Sequence, residues 1–272
     1  MDILGRRPGE GRTLIMGILN CTPDSFSDGG LYLDSKAAAD HALALISQGA
    51  DIIDIGGEST RPGFTPVDKD EELKRVIPVI TSLRDTGVIM SVDTTKMEVA
   101  KAAVEAGARV INDISGHLDG NVITDIAALN DSYLVIMFNC RINGASEGSI
   151  TERAIGEIGQ NIDIALSKGI KESRILIDPG IGFGTSRQQD IELTREIGRF
   201  SMGGRFKVLY AASRKRMIRE LMAPLDEEYD IDDVTDTVNL YAASHGADII
   251  RTHRVAGLRD RLYVSDRLTG KV

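Results

Sequence analysis

Apolar residues fall along this chain in short unbroken runs rather than in alternation with polar ones. Positions 14–20, 52–56, 89–93, 110–113, 134–138, 175–178, 207–211 and 249–253 each read as a strand. Continuous runs of this length fit parallel strands that are covered on both faces. Between them lie segments with helical spacing: 35–48, 68–85, 95–106, 120–129, 152–168, 187–199, 232–244 and 254–268. Asp34-Ser35 offers a cap for the first of these. Gly49-Ala50-Asp51, Gly107-Ala108-Arg109 and Gly246-Ala247-Asp248 close three of them alike, with glycine just past the helix end. The pattern predicts an α/β protein: one (β/α)8 TIM barrel spanning 1–272, with its active site at the C-terminal face of the parallel strands. The rival is an open doubly wound sheet with a second domain. No linker or break in composition supports it.

Composition narrows the function classes. Two cysteines, Cys21 and Cys140, are too few for a disulfide scaffold. No apolar run is long enough to span a membrane, and MDILGRRPGEGR lacks the apolar centre of a secretory signal, so a cytoplasmic location is expected. Lys and Arg number 32 against 41 Asp and Glu, a net charge of −9, which argues against nucleic acid as a partner. A local cluster of cations can still hold a small anionic substrate.

In a barrel, the residues at the strand ends share one mouth. Here they are Asn20, Glu58-Ser59-Thr60-Arg61, Asp93, Asn112-Asp113, Phe138-Asn139, Asp178, Ser213-Arg214-Lys215-Arg216, Arg251 and His253. Singly, each is an ordinary cap or turn residue; Asp93 before Thr94 is a candidate helix cap, for instance. Together they form a ring with an acidic and amide half (Asp93, Asn112, Asp178) and a cationic half (Arg61, Lys215, Arg251, His253). Carboxylate and amide groups suit the donor edge of a flat heterocycle. Arg, Lys and His suit a phosphate or pyrophosphate. Asn20 offers a neutral oxygen to Mg²⁺ that is held partly by substrate phosphates. There is no zinc-spaced Cys/His set, no phosphate-binding P-loop and no full dinucleotide fingerprint. Cys21 has no base paired with it and reads as a bystander. Two long polar connections, 21–30 and 56–66, read as functional loops.

Seven segments in order resemble the dihydropteroate synthases, pterin-binding barrels of folate biosynthesis. They are GILNCTPDSFSDGG (17–30), GADIIDIGGESTRPG (49–63), SVDTTK (91–96), INDISG (111–116), DPGIGFG (178–184), SRK (213–215) and GADIIRTH (246–253). The resemblance implies a dimeric alkyl (pteridinylmethyl) transferase with Mg²⁺. It joins 6-hydroxymethyl-7,8-dihydropterin pyrophosphate to 4-aminobenzoate and releases pyrophosphate. By position, Asp93, Asn112, Asp178 and Lys215 then correspond to the pterin pocket. Asn20, Arg61, Arg251 and His253 correspond to the pyrophosphate group, with Asn20 as the metal ligand. Thr60, Arg61, Pro62 and Phe183 correspond to the aryl-amine wall. Asp93, Lys215 and Arg251 are the catalytic candidates.

Three departures set this chain apart from the family pattern. Met-His-Met after the fifth strand becomes Met137-Phe138-Asn139, which replaces an imidazole near the pterin by Phe. The Lys after DPGIGFG becomes Thr185. The Ser after SRK, which faces the aminobenzoate carboxylate, becomes Arg216. Arg216 can pair with that carboxylate or fill its place. The alternative function is therefore a pterin-binding paralogue with weak or no synthase activity, or with another amine acceptor.

Overall fold

The computed structural model describes residues 4–22, 30–58, 66–120, 122–143, 148–225 and 228–272. Eight strands form one closed barrel: β1 (Leu14–Asn20), β2 (Ile52–Gly56), β3 (Ile89–Asp93), β4 (Val110–Asp113), β5 (Tyr133–Met137), β6 (Ile175–Asp178), β7 (Lys207–Tyr210) and β8 (Ile249–Thr252). Each pairs in parallel with its sequence neighbour, and β8 closes on β1 with Met16 opposite Arg251. The barrel expected from the pattern is thus the fold observed.

Side chains alternate across each strand, so residues two apart share a face. Leu14, Met16, Ile52, Ile89, Val110, Val135, Leu176 and Ile249 fill the interior, joined by Leu4 from the N-terminal segment. That segment is pinned where the Gly9 N–H donates to Asp248 at 2.6 Å. Two residues further along the same faces the interior becomes polar. Ile52 gives way to Asp54, Val110 to Asn112, Leu176 to Asp178 and Ile249 to Arg251. The other faces, with Ile53, Ile55, Val92, Ile111 and Ile177, pack outward against the helices. An apolar floor and a polar mouth therefore follow from one register.

The helices are α1 (Gly30–Ser47), α2 (Lys69–Leu83), α3 (Met97–Ala106), α4 (Ile123–Leu129), α5 (Cys140–Asn143), α6 (Ile150–Ser167), α7 (Arg187–Arg195), α8 (Arg216–Met222), α9 (Ile231–Ser244) and α10 (Leu258–Thr269). Asp68, Ser149, Ser186 and Asp230 cap α2, α6, α7 and α9 through side-chain acceptors. Gly49, Gly107 and Gly246 take φ of 108°, 124° and 119°, as their repeated turn implied.

Several boundaries differ from expectation. The first helix starts at Gly30, so Asp34-Ser35 lies inside it rather than at its N-terminus. The preceding Leu31-Tyr32-Leu33 carries no breaker, and the helix propagates through it. Strand β5 begins one residue earlier than its apolar run suggested, at Tyr133. The last helix begins at Leu258 because Gly257 turns left-handed (φ 77°), leaving Arg254 free to pair with α9. No helical spacing marks α5 or α8, because both are too short for periodicity to show.

Candidate active site

The centre of the mouth is an ion-pair cluster from four strands. Arg251 on β8 donates from Nε to Asp54 Oδ2 at 2.6 Å and from Nη2 to Asp93 Oδ2 at 2.8 Å. Asn112 Nδ2 donates to the same Asp54 oxygen at 3.1 Å. Two buried acceptors here, Asp54 Oδ1 and Asn112 Oδ1, have no hydrogen-bond partner among the described residues. Such atoms call for a donor from outside the protein. Burial, reinforced by the charge of Asp54, pushes the Asp93 carboxyl up to about 7; Arg251 opposes the rise.

Lys215 reaches the mouth from the other side. It is the N-cap residue of α8, and its ammonium donates to the Ile181 carbonyl and lies 4.8 Å from the Phe183 ring centroid. Burial lowers its pKa to about 8, with Asp178 opposing the fall. Asp178 ends β6, where its Oδ1 accepts the Gly180 N–H at 2.7 Å and folds the turn after the strand. Burial raises its pKa, and Lys215 holds the rise back. The turn requires glycine at 180: φ is 73°, and a Cβ there would lie 1.8 Å from the Phe138 carbonyl oxygen. Thr185 secures the far end of the loop. Its hydroxyl donates to Asp190 at 2.5 Å, and the Gly182 N–H donates to the same oxygen at 2.8 Å.

The remaining candidates are more dispersed. The His253 ring nitrogen Nδ1 and Ser213 Oγ share a hydrogen bond of 2.9 Å. Asn20 sits at the end of β1, and its amide makes no hydrogen bond among the described residues. Arg216 is exposed on the first turn of α8 and has no hydrogen bond or ion pair among the described residues. Thr60, Arg61 and Pro62 lie outside the described residues. A cavity of about 470 Å³ opens over the strand ends between Thr95, Ile114, Ser115, Asn139, Arg141 and Phe183. Arg141 stacks over Phe183 at 5.1 Å. Among the described residues no group of three or more His, Cys, Asp or Glu could hold a metal ion.

A family model described as pterin binding enzyme matches residues 16–253, which takes in every strand but the first two residues of β1. The chain belongs to the pterin-binding enzyme family. It is 39% identical to the dihydropteroate synthase of Streptococcus pyogenes serotype M18 over 267 residues, 97% of this chain and 99% of that one. A solved dihydropteroate synthase from Xanthomonas albilineans with 4-aminobenzoic acid superimposes with a TM-score of 0.86 at 39% identity, covering 95% of this chain and 93% of that one. The same organism's enzyme in complex with 7,8-dihydropteroate gives 0.82 at 37% identity, with 94% of both chains covered.

Set beside its family, the site corrects three expectations. Arg251 does not belong to a cationic half; it lies among the acids, because its strand position faces Asp54 and Asp93. Phe138 does not enter the mouth. It is buried in the outer layer beneath Arg153 of α6, and Asn139 lines the cavity instead. Asp93 caps no helix, since the residue preceding α3 is Lys96. Asp54 was missed altogether. Its signal was an acid two residues after an inward-facing Ile within an otherwise apolar run. Cys21 is buried, and burial raises its thiol to about 12, so it stays unreactive.

Proposed function

We propose that this protein condenses 6-hydroxymethyl-7,8-dihydropterin pyrophosphate with 4-aminobenzoate to give 7,8-dihydropteroate and pyrophosphate. The observation that carries the reading is the mouth itself: an acid–amide centre with two buried acceptors unpartnered among the described residues, next to a half-buried lysine on an aromatic wall. A pterin ring presents N–H donors along one edge and a flat face. Asp54 Oδ1, Asn112 Oδ1 and Asp178 would receive that edge, while Lys215 and Arg251 supply donors to its acceptor atoms.

The reaction breaks the bond between the pterin methylene carbon and the pyrophosphate oxygen, whose electron pair leaves with pyrophosphate. A bond from the arylamine nitrogen to that carbon forms, and the amine loses a proton. The carbon becomes electron-poor as the leaving group departs. The Asp93 carboxylate stabilises the positive charge that develops on the ring. No enzyme nucleophile is required, in keeping with an inert Cys21. His253, hydrogen-bonded to Ser213, would face the pyrophosphate, and Arg61 would supply a second cation to it. Phe183, Thr60, Arg61, Pro62 and Arg216 would hold the aryl amine.

Mg²⁺ fits the donor set. One free amide oxygen at Asn20 suits an ion that keeps its waters and takes phosphate oxygens. When bound it would neutralise charge on the leaving pyrophosphate. We also infer a homodimer, for which exposed Leu221, Leu225 and Tyr229 near α8, with Tyr263, Val264 and Leu268 on α10, provide apolar surface. Light-scattering mass measurement checks this. A cytoplasmic location goes with the same reading and with two free cysteines. No helix among the described residues is long and apolar enough to cross a membrane.

The deciding assay supplies the purified protein with the pterin pyrophosphate, 4-aminobenzoate and Mg²⁺, and follows dihydropteroate. Product formation is expected. Tight pterin binding without product would replace the synthase reading with that of a pterin-binding paralogue.

A further inference from the structure

Ser213, Arg214 and Lys215 are consecutive, yet their side chains go to three different places. Ser213 meets His253 beyond β8, and Lys215 reaches Ile181 and Phe183 beyond β6. Arg214 turns away from the mouth to α9, where Nε and Nη2 each donate to one oxygen of Asp232 at 2.7 Å. Such a divergence needs an unusual backbone. Arg214 has φ 58°, one of three non-glycine residues in the left-handed region among the described residues. The conformation is costly for any residue with a Cβ and persists only where the surroundings enforce it.

The surroundings here are the first turns of α9. Besides the bidentate pair, the Thr235 hydroxyl accepts the Arg214 N–H at 3.3 Å. Asp232 is itself placed by its own N–H, which donates to the capping Asp230 at 2.7 Å. The guanidinium of Arg214 holds the Asp232 carboxyl below its usual range. The next arginine along the rim, Arg254, follows His253 and donates to Asp233 at 2.5 Å and Asp236 at 2.8 Å. One acidic helix start therefore holds the residue next to Lys215 and the residue next to His253.

We propose that Arg214 and Asp232 are positioning residues: their ion pair, made outside the mouth, holds the left-handed turn that aims Lys215 at the Ile181–Phe183 wall and Ser213 at His253. Resting on the synthase reading for its kinetics, the proposal concerns the backbone between two site residues rather than any contact with substrate. It explains why an exposed arginine occupies a position that glycine would fill at lower conformational cost.

The test compares Arg214→Ala, Arg214→Gly and Asp232→Asn. Alanine removes the pair and keeps the penalty of the Cβ. Glycine removes the pair and the penalty together. Two readouts are used. The first is kcat and KM in the synthase assay. The second is the ¹³C NMR titration of Lys215, assigned with Lys215→Arg, which needs no activity. Lys215 is surrounded by Asp178, Asp190, Asp93 and Arg251, and it titrates near 8 while it is held against the wall.

In Arg214→Ala and Asp232→Asn the lysine should escape to water and its titration should move up toward 10.5. In the same variants kcat should fall by about tenfold or more, the scale expected from displacing a positioned group. Arg214→Gly should recover part of both. The proposal is overturned if the Lys215 titration is the same in all variants, or if glycine and alanine are equally impaired. Absence of synthase activity in the unchanged protein would overturn the function reading alone, and the lysine titration would still decide this one.

Discussion

Arg251 Nη2 lies 2.8 Å from Asp93 Oδ2, so two of the three catalytic candidates at the barrel mouth are already paired with each other. The same guanidinium is held from below by Asp54, which is fully buried. One cation thus neutralises two carboxylates, and the cluster keeps an excess negative charge. Burial first, and this excess second, explain why Asp93 holds its proton more tightly than an ordinary aspartate.

Removing Asp54 should expose that dependence. Asp54→Asn keeps the shape and the burial but deletes the charge that adds to the lift of Asp93. The acid limb of the kcat/KM profile should move to lower pH. Arg251 loses half of its buried partnership, and breaking such a pair costs about 3 kcal/mol. Urea midpoints and pH profiles of native protein and variant check both effects. An acid limb that stays near its native position would show that Asp54 does not control Asp93.

The native profile itself should be bell-shaped. In the proposed mechanism Asp93 acts ionised, stabilising charge on the pterin ring, and its pKa is about 7. Lys215 acts in the same mechanism as a charged donor, and burial lowers its pKa to about 8. The profile of kcat/KM reports the free enzyme, so it should rise through about 7 and fall above about 8. Lys215→Arg, which stays charged, should remove the basic fall while lowering the maximum.

Stability should follow pH for the same reason. Asp93 has a folded pKa of about 7 against an ordinary 3.8, so between these values the folded state binds more protons than the unfolded state. Its contribution is present in full below the lower value and is lost as pH rises through the upper one. Asp93→Asn has no such loss. The stability of the variant relative to the native protein should therefore increase from pH 4 to pH 7 and level off above it. Paired denaturation curves across that range measure it, and a flat difference would contradict the assignment.

Much of this was legible in the sequence because strand ends in a barrel are constrained by position alone. Unbroken apolar runs marked the strands, and the polar residue closing each run marked the mouth. Asp54 escaped because it sits inside such a run, where only the two-residue alternation from Ile52 shows that it faces inward. Arg251 was placed with the wrong partners because charge type does not reveal which neighbours a closed barrel brings opposite each other. Phe138 was misplaced by one step of the same alternation, which turns its ring to the helices and Asn139 to the cavity. The role of Arg214 depends on a backbone angle, and nothing in its residue type announces a left-handed turn.

Arg216 offers a test of the amine site that is independent of the acid cluster. It stands on the first turn of α8, exposed and without an ion pair among the described residues, so its guanidinium is available to an incoming carboxylate. The helix N-terminus beside it favours the same charge. A charge-assisted contact of this kind is worth roughly 1.5–3 kcal/mol, so Arg216→Ser should raise KM for 4-aminobenzoate by about tenfold or more. KM for the pterin pyrophosphate should be unchanged, because the proposed place of that ring is at Asp93, Asn112 and Asp178, away from Arg216. Arg216→Lys should recover only part of the loss, as a lysine cannot form the bidentate contact. A lower KM in Arg216→Ser would mean that the arginine occupies the acceptor's place, and would favour an acceptor other than 4-aminobenzoate.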